Sequence, residues 1–213
     1  MTTWYEQLQL HRAIAVIRVD RLELALKMAQ AVAAGGIRQI EISWKSDRAA
    51  VTIDKLRSDL PECTIGVGTL FNSNDLKEAI AAGAQFAFSP HIDPQLIRSA
   101  VEAQIPIVPG ALSPTEIVTA WQAGATAVKV FPISAVGGAN YIRSLQGPLG
   151  HIPLIPTGGV TMNNARTILD AGAVAVGLGS TLFPPSLILD RHWPGVCALA
   201  QKLRYEMLHQ ALQ

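Results

Sequence analysis

Eight short runs of aliphatic and β-branched residues alternate with longer, alanine-rich stretches along this chain. The runs cover residues 13–19, 39–43, 64–69, 86–90, 105–110, 127–132, 153–159 and 175–181. A short apolar run is typical of a strand that is covered on both faces, as in a parallel sheet flanked by helices. The pattern therefore predicts eight strands separated by helices.

The helices between these runs carry start and stop signals. Residues of the type that caps a helix N-terminus are Asp20, Ser73, Asp93 and Ser113, and the last two precede a proline. Glycines that follow an alanine and end a helix before the next strand are Gly35, Gly83, Gly124 and Gly172. The segment TTWYEQLQLHR, at residues 2–12, is predicted to form a short amphipathic helix before the first strand, at the bottom of the sheet.

This arrangement favours one fold class. Eight strand and helix units with short connections match an α/β fold, the closed parallel (β/α)8 barrel or TIM barrel, preceded here by a short N-terminal helix. An open doubly wound sheet is the alternative. A chain of 213 residues buries enough surface to need no disulfide or structural metal, and residues 1–213 are predicted to form a single (β/α)8 barrel domain.

Charge and hydropathy exclude two classes of partner. The formal net charge is +1, only 6% of residues are aromatic, and no basic cluster is interleaved with aromatic residues, so nucleic acid is not expected as a partner. No stretch approaches 18 consecutive apolar residues, and the first dozen residues are too polar for a signal-peptide core. Membrane association is therefore not expected, and the predicted location is the cytoplasm.

Cysteine and histidine positions do not indicate a metal site. Cys63 and Cys197 are far apart and form no Cys-x-x-Cys pair, which favours reduced, structural thiols over a disulfide or a zinc site. No two histidines have the i, i+4 spacing of helical metal ligands; they are His11, His91, His151, His192 and His209.

Lys129 is the strongest candidate for a catalytic residue. It lies inside the apolar run AVKVFP, where a buried ammonium is costly unless it has a partner. The structural alternative is a lysine whose stem packs in the core and whose ammonium pairs with a carboxylate. In a barrel of this type, reacting groups lie at the carboxyl ends of the strands, so a lysine in a buried strand points to chemistry.

Glu41 is the second candidate, because alternation along QIEIS places it on one face with Gln39 and Ser43. That face is predicted to line the barrel interior. A lysine and a carboxylate that face one cavity suit amine chemistry on a carbonyl, in which the amine attacks and the carboxylate moves protons. The alternative is that Glu41 is only the ion-pair partner of Lys129 or Arg18.

Two glycine-rich segments follow the seventh and eighth predicted strands. They are PTGGV at 156–160 and GLGST at 177–181. Small residues at this place expose backbone N–H groups, and a following helix N-terminus attracts an anion. Tight turns are the alternative role for such glycines. Together the two segments predict a phosphate-binding site.

The chain resembles a family of pyruvate-dependent class I aldolases, the 2-keto-3-deoxy-6-phosphogluconate and 4-hydroxy-2-oxoglutarate aldolases. The resemblance covers roughly residues 10 to 205. The matching segments, in order, are IEIS at 40–43, GVGTL at 66–70, AGAQFAFSP at 82–90, IPIVPG at 105–110, KVFP at 129–132, PTGGV at 156–160 and GLGS at 177–180.

The resemblance implies a role for each matching residue. Lys129 is the Schiff-base nucleophile and Glu41 the general acid and base. Thr69, in the G-x-G-T motif, helps to hold the pyruvyl carboxylate. The other implied substrate-binding residues are Pro90 and Phe131 beside the pyruvyl group, Gly158, Gly159, Gly179 and Ser180 at the phosphate, and Arg18 as an anion-binding group. An exposed arginine at a strand end is the alternative for Arg18.

The chain departs from the family pattern at three positions. Familiar members have E-(V/I)-x-x-R where this chain has Glu41-Ile-Ser-Trp-Lys45, so an ammonium replaces a guanidinium that binds carboxylates with two parallel hydrogen bonds. Trp44 is a bulky neighbour, and His91 stands where smaller residues are common. These changes bear on substrate preference, and Lys45 is kept as a substrate-binding residue.

The implied reaction cleaves 2-keto-3-deoxy-6-phosphogluconate, and also 4-hydroxy-2-oxoglutarate, to pyruvate and an aldehyde. No metal or organic cofactor is expected. The expected partners are the phosphorylated keto acid and pyruvate, and the resemblance implies a homotrimer. Two alternatives keep the phosphate site: a phosphosugar isomerase or epimerase that uses Glu41 for enolisation, and a non-catalytic phosphosugar-binding protein. Neither gives Lys129 a covalent role.

Overall fold

Short strands alternate with helices through residues 3–208, the part of the chain that the structure, a computed structural model, describes. The strands are β1 (Ala13–Ile17), β2 (Gln39–Ser43), β3 (Thr64–Gly68), β4 (Ala87–Phe88), β5 (Ile107–Val108), β6 (Gly110–Ala111), β7 (Val128–Val130), β8 (Leu154–Pro156) and β9 (Val176–Leu178). The helices are α1 (Trp4–His11), α2 (Leu22–Ala34), α3 (Ala49–Asp59), α4 (Ser73–Ala81), α5 (Pro94–Glu102), α6 (Pro114–Gln122), α7 (Ala139–Leu149), α8 (Met162–Asp170), α9 (Pro185–Leu189) and α10 (Trp193–Leu208). Every predicted strand overlaps an observed one.

Two of the four predicted helix starts are confirmed and two are displaced. The side chains of Asp93 and Ser113 accept backbone N–H groups at the first turns of α5 and α6. Helix α4 is capped by Asn72 and not by Ser73, which is already its first residue. Asparagine accepts this hydrogen bond as well as serine does. The prediction that Asp20 begins α2 was also wrong. The next residue, Arg21, occupies the cap position, and its side chain makes no capping hydrogen bond.

Three of the four predicted helix-ending glycines have left-handed backbones. The φ angles of Gly83, Gly124 and Gly172 are +94°, +102° and +110°. At the end of α2 the left-handed residue is Gly36, with φ of +91°, and not Gly35, with φ of −76°. Gly35 serves a different purpose, because a Cβ there would lie 2.4 Å from a side chain of α10.

All pairings between the strands are parallel, and they run in chain order. One sheet has the order β5-β4-β3-β2-β1-β9 and the other β6-β7-β8. A doubly wound sheet reverses its strand order at a switch point. Here the order does not reverse, and the last strand pairs with the first, so the doubly wound alternative is wrong.

The fifth predicted strand is divided into β5 and β6 at Pro109. Proline has no N–H to give to a ladder, so β5 pairs with β4 on one side and β6 pairs with β7 on the other. The carbonyl of Pro109 still accepts the N–H of Lys129 at 2.9 Å. Pro109 therefore lies at the step from one sheet to the other.

The two sheets also contact each other at their other ends and contribute side chains to a common core. A parallel bridge joins Thr157, after β8, to Gly177 in β9. One buried cluster takes side chains from both sheets and from α1, namely Trp4, Leu8, Ile14, Phe86, Phe88, Val108, Ala127, Ile155 and Ala175.

The predicted N-terminal helix is confirmed and closes this core. The indole N–H of Trp4 in α1 donates to the Gln39 amide oxygen at 3.0 Å, at the first residue of β2. A larger apolar cluster fills the space between the sheets and the surrounding helices.

Both cysteines are unbridged, as predicted. Cys63 is buried, which raises the pKa of its thiol to about 11, and Cys197 is partly buried. Within residues 3–208, no set of three histidine, cysteine or acidic side chains is placed to hold a metal ion, and no helix has the length and hydropathy needed to span a bilayer. His209 lies outside the described residues.

Candidate active site

Lys129 lies in the middle of β7, between β6 and β8, and is only 7% exposed. Its Nζ lies 4.9 Å from the ring centroid of Phe131 and 5.9 Å from that of Phe88. Among residues 3–208, no carboxylate oxygen comes within 4.0 Å of this nitrogen. The structure therefore lacks the ion pair that the structural alternative for Lys129 required. Instead of a carboxylate, the rings of Phe88 and Phe131 lie beside the amine, and the faces of such rings attract a cation weakly.

Glu41 lies in the middle of β2 and is 2% exposed. Burial raises the pKa of its carboxyl group, and the charge of Lys129 opposes that rise. The charge of Lys129 acts on Glu41 although the two residues belong to different sheets, which indicates that both side chains face the same interior. A carboxyl group with a raised pKa is suited to take up a proton and return it.

Gly68, at the end of β3, makes room for the Glu41 carboxyl group. A Cβ at this position would lie 1.7 Å from Glu41 Oε1, closer than any two such atoms can approach. Because Gly68 pairs with Ser43, two residues beyond Glu41, the carboxyl group leans toward the carboxyl end of the sheet. No role was predicted for Gly68 from the sequence, although the G-x-G-T motif contains it.

Thr69 follows β3 and is tied to the loop after β2. The hydroxyl of Ser43 donates to Thr69 Oγ1 at 3.1 Å, and the backbone N–H of Lys45 donates to the same serine oxygen at 3.3 Å. Thr69 has a left-handed backbone, with φ of +63°, which is uncommon for a β-branched residue. Such strain persists where the surroundings fix the residue, and it is often found at functional sites.

Pro90 and Phe131 line the same cavity, of about 580 Å³, beside the loops that follow β4, β6 and β7. A Cβ at Gly110 would lie 2.5 Å from the backbone of Pro90, so the chain passes close to this wall. Phe131 is 40% exposed, and the Nζ of Lys129 lies over its ring. The placement of Pro90 and Phe131 beside a pyruvyl group stays a prediction.

The two glycine-rich loops are neighbours and differ in their packing. The Thr181 hydroxyl of one loop donates to the Val160 carbonyl of the other at 2.8 Å. Gly158 and Gly159 have φ of +80° and +89°, and a Cβ on either would come within 3 Å of a side chain after β7. Conformation and close packing thus favour glycine at these two positions, and their role at a phosphate stays a prediction. A Cβ on Gly179 would meet only a backbone oxygen, at 3.7 Å.

Arg18, Gly179 and Ser180 line one cavity of about 370 Å³. Arg18 is exposed at the end of β1, next to β9 in the sheet, and Ser180 is exposed as well. Gly158 and Gly159 are not part of this lining. The structure therefore brings a guanidinium, a hydroxyl and an open glycine together, which is a set of groups that can bind an anion.

The site groups lie on strands and on the loops that follow them, at positions distant in sequence. Lys45 is exposed, and its ammonium lies over the ring of Phe71. Ser43 was not predicted as a partner of Thr69, although alternation placed it on the face of Glu41. Phe88, whose ring lies near the Lys129 ammonium, was not predicted either; alternation within FAFSP was the available signal.

The chain is similar to known proteins over most of its length. A family model described as "Aldolase: KDPG and KHG aldolase" matches residues 5–199. Here KDPG is 2-keto-3-deoxy-6-phosphogluconate and KHG is another name for 4-hydroxy-2-oxoglutarate. A 2-dehydro-3-deoxy-phosphogluconate aldolase from Dickeya dadantii (strain 3937) is 34% identical over 189 residues, which are 89% of each chain.

Solved structures show the same similarity. The KDPG aldolase of Legionella pneumophila, with pyruvate captured as a covalent carbinolamine intermediate, has a TM-score of 0.87 at 29% identity over 95% of this chain and 98% of that one. A cube-shaped cage designed by fusing symmetric oligomeric domains has a TM-score of 0.83 at 31% identity over 92% and 73% of the two chains. Because the family model matches most of the length of this chain, the chain belongs to the KDPG and KHG aldolase family.

Proposed function

We propose that this protein is a class I aldolase, a lyase that cleaves 2-keto-3-deoxy-6-phosphogluconate to pyruvate and glyceraldehyde 3-phosphate. Unphosphorylated 4-hydroxy-2-oxoglutarate, which gives pyruvate and glyoxylate, is the second substrate. The observation that carries this proposal is Lys129: an almost fully buried amine without an ion-pair partner in residues 3–208, sharing an interior with the Glu41 carboxyl group. Family membership supports the same reaction.

The first half of the proposed cycle forms an iminium on Lys129. The neutral amine adds to the ketone carbon of the 2-keto acid, and loss of water from the carbinolamine leaves the iminium, which accepts electrons from the bond to be broken. No carboxylate has to be displaced from the Lys129 amine before it reacts, because no carboxylate oxygen lies within 4.0 Å of it among the described residues. Thr69, held by Ser43, would receive the carboxylate.

The second half breaks the bond between C3 and C4. Glu41, directly or through a water molecule, takes the proton of the 4-hydroxyl group, so the aldehyde leaves and the electron pair enters an enamine. Protonation of the enamine at C3 and hydrolysis of the resulting iminium release pyruvate and restore the amine. The raised pKa of Glu41 suits it to both the uptake and the return of that proton. No step needs a metal or an organic cofactor.

The two alternatives for this scaffold are not favoured. An isomerase or epimerase would use Glu41 and the phosphate site but would leave the buried Lys129 without a task. A non-catalytic phosphosugar-binding protein would be expected to neutralise Lys129 with a carboxylate, and the described residues provide none within 4.0 Å. We propose that the enzyme acts in the Entner-Doudoroff pathway, in the cytoplasm.

The phosphate end of the substrate gives a separate prediction. Gly179 lines the cavity with Arg18 and Ser180 and has room for a side chain. The substitution Gly179→Asp should repel the phosphorylated substrate and spare pyruvyl chemistry. Loss of one charge-assisted hydrogen bond costs about 1.5 to 3 kcal/mol, so kcat/KM for the phosphorylated substrate should fall at least about tenfold.

The control for Gly179→Asp is the unphosphorylated keto acid. The kcat/KM of the variant for this substrate should stay near the wild-type value, and the circular dichroism spectrum of the variant should match that of the wild type. An equal loss for both substrates in a folded variant would show that this cavity does not hold the phosphate. Gly158→Ala is a less useful variant, because its Cβ would press on the Phe131 ring and disturb both substrates.

We further propose that the chain closes into a single (β/α)8 barrel domain. The sheet pairings, the last strand beside the first, the bridge between Thr157 and Gly177 and the shared interior cluster all support closure. In this arrangement the site lies where barrel enzymes place their reacting groups, at the carboxyl ends of the strands.

A homotrimer is the proposed assembly. The resemblance implies it, and one of the solved structures similar to this chain is a cage designed by fusing symmetric oligomeric domains. Exposed apolar side chains such as Leu10 and Val101 would be covered in a symmetric ring. Light scattering at micromolar concentration should give a mass near three times 22.7 kDa. A mass near 22.7 kDa would contradict the trimer.

A further inference from the structure

Phe71 is a large aromatic side chain that stays 47% exposed beside the proposed active site. It follows Thr69 by two residues, in the loop after β3. The ammonium of Lys45 lies 5.3 Å from the centroid of its ring, which is within the range of a cation–π attraction. The catalytic cycle described above gives Phe71 no task.

The ring of His91 stacks on the same residue. The two ring centroids are 5.4 Å apart and the planes are inclined by 21°. The Nδ1 atom of His91 is enclosed and has no hydrogen-bond partner within residues 3–208. Stacking on Phe71, and not a hydrogen bond through Nδ1, therefore orients the imidazole.

Three consecutive loops thus meet at one aromatic ring. Lys45 follows β2, Phe71 follows β3 and His91 follows β4, and these strands are neighbours in the sheet. The same loops hold Thr69, because Ser43 donates to its hydroxyl and accepts the backbone N–H of Lys45. The backbone of Lys45 is therefore fixed relative to the proposed carboxylate site.

The side chain of Lys45 needs a further constraint. An arginine at this position would present a planar, pre-organised fork to a carboxylate, whereas a lysine ends in a single charge on a long flexible stem. The Lys45 ammonium has no carboxylate within 4.0 Å among the described residues and is exposed. The face of Phe71 is the group that restricts where this charge lies.

We propose that Phe71, supported by His91, is a positioning residue that holds the Lys45 ammonium for the carboxylate of the 2-keto acid. The inference deepens the proposed function and rests on it. With the Lys45 ammonium held there, the site should prefer a 2-keto acid with a free carboxylate over the same ketone with that charge removed. Phe71 acts through Lys45 and does not itself contact the reacting atoms.

The test compares pyruvate with methyl pyruvate, which has the same ketone but no negative charge. Borohydride trapping on Lys129 is followed as a function of concentration, which gives a half-saturation concentration and a maximal trapping rate for each compound. The variant Phe71→Leu keeps an apolar side chain and removes the aromatic face. Its half-saturation concentration for pyruvate should rise about two- to fivefold, the range expected for loss of a cation–π contact.

The specificity readouts separate positioning from a structural role. In Phe71→Leu the maximal trapping rate and the half-saturation concentration for methyl pyruvate should change little, so the preference for pyruvate falls. Phe71→Tyr, which keeps the ring, should restore the preference. In a Lys45→Met background, Phe71→Leu should have no further effect. The substitution Leu189→Ala removes an 82% exposed apolar side chain elsewhere and is the matched control.

Three results would overturn the proposal. One is an unchanged preference in Phe71→Leu; another is an equal loss for both compounds; the third is the same effect of Phe71→Leu whether or not Lys45 is present. If Phe71→Leu does not fold, the comparison of Lys45→Met with Lys45→Arg on both compounds decides whether charge at this position selects the carboxylate at all. Wild-type protein that traps no pyruvate on Lys129 would instead refute the proposed function, before any variant is made.

Discussion

Incubation with pyruvate and sodium borohydride should leave a reduced pyruvyl group on Lys129 and on no other lysine. Borohydride reduces the iminium to a stable secondary amine, so the peptide that contains Lys129 gains the pyruvyl mass. Selectivity follows from the surroundings: Lys129 is buried beside the Phe88 and Phe131 rings with no carboxylate oxygen within 4.0 Å in residues 3–208, whereas Lys45 is exposed. Mass spectrometry of a proteolytic digest measures this directly.

Removal of the same amine should have the largest effect on turnover. The variant Lys129→Ala loses the covalent route entirely, so cleavage of the keto acid should fall at least about a thousandfold. Activity of the wild type should persist in excess chelator, since the iminium, and not a metal ion, accepts the electrons. A Lys129→Ala enzyme with wild-type cleavage, or an unmodified Lys129 peptide, would refute the Schiff-base mechanism. Activity that chelator removes and a divalent cation restores would indicate a metal-dependent aldolase.

The position of the strands and of the two central residues could be predicted because it depends on local pattern. Apolar runs of the right length mark buried strands, and a single polar residue inside such a run is conspicuous, as Lys129 and Glu41 are. Several observed strands are shorter than the apolar runs that predicted them, because the hydrogen bonds between neighbouring strands end before the apolar sequence does. The alternation along QIEIS gave the shared face of Glu41 and Ser43 correctly.

Contacts between distant segments could not be predicted in the same way. The need for glycine at position 68 arises only when the Glu41 carboxyl group leans across from the neighbouring strand. The meeting of Lys45, Phe71 and His91 requires three loops that are about 20 to 26 residues apart in sequence to end at one edge of the sheet. Helix caps were displaced by one residue for a related reason: Asn72 and Ser73 are both good caps, and the backbone path chooses between them.

Replacement of Glu41 by glutamine should reduce turnover and, at high pH, increase stability. Glutamine keeps the size of the side chain beside Gly68 but can neither accept nor return a proton, so kcat should fall by about 100- to 10,000-fold. Trapping of pyruvate on Lys129 should survive better than cleavage, because iminium formation does not require removal of the 4-hydroxyl proton. Single-turnover cleavage and borohydride trapping, measured on the same preparation, separate the two steps.

The stability effect has a definite sign because burial raises the pKa of Glu41 in the folded protein. The folded state then holds the proton more tightly than the unfolded state, so the contribution of Glu41 to the free energy of unfolding is fully present below the unfolded carboxyl pKa, about 4.3, and is lost as the pH rises through the folded pKa. Glutamine does not ionise. Relative to the wild type, the Tm of Glu41→Gln should therefore increase with pH, and the gain should be larger in a Lys129→Ala background, where no positive charge compensates the carboxylate. A Tm difference that does not vary with pH would show that Glu41 ionises as easily in the folded protein as in the unfolded one, and a proton-transfer role based on its burial would then lose its physical basis.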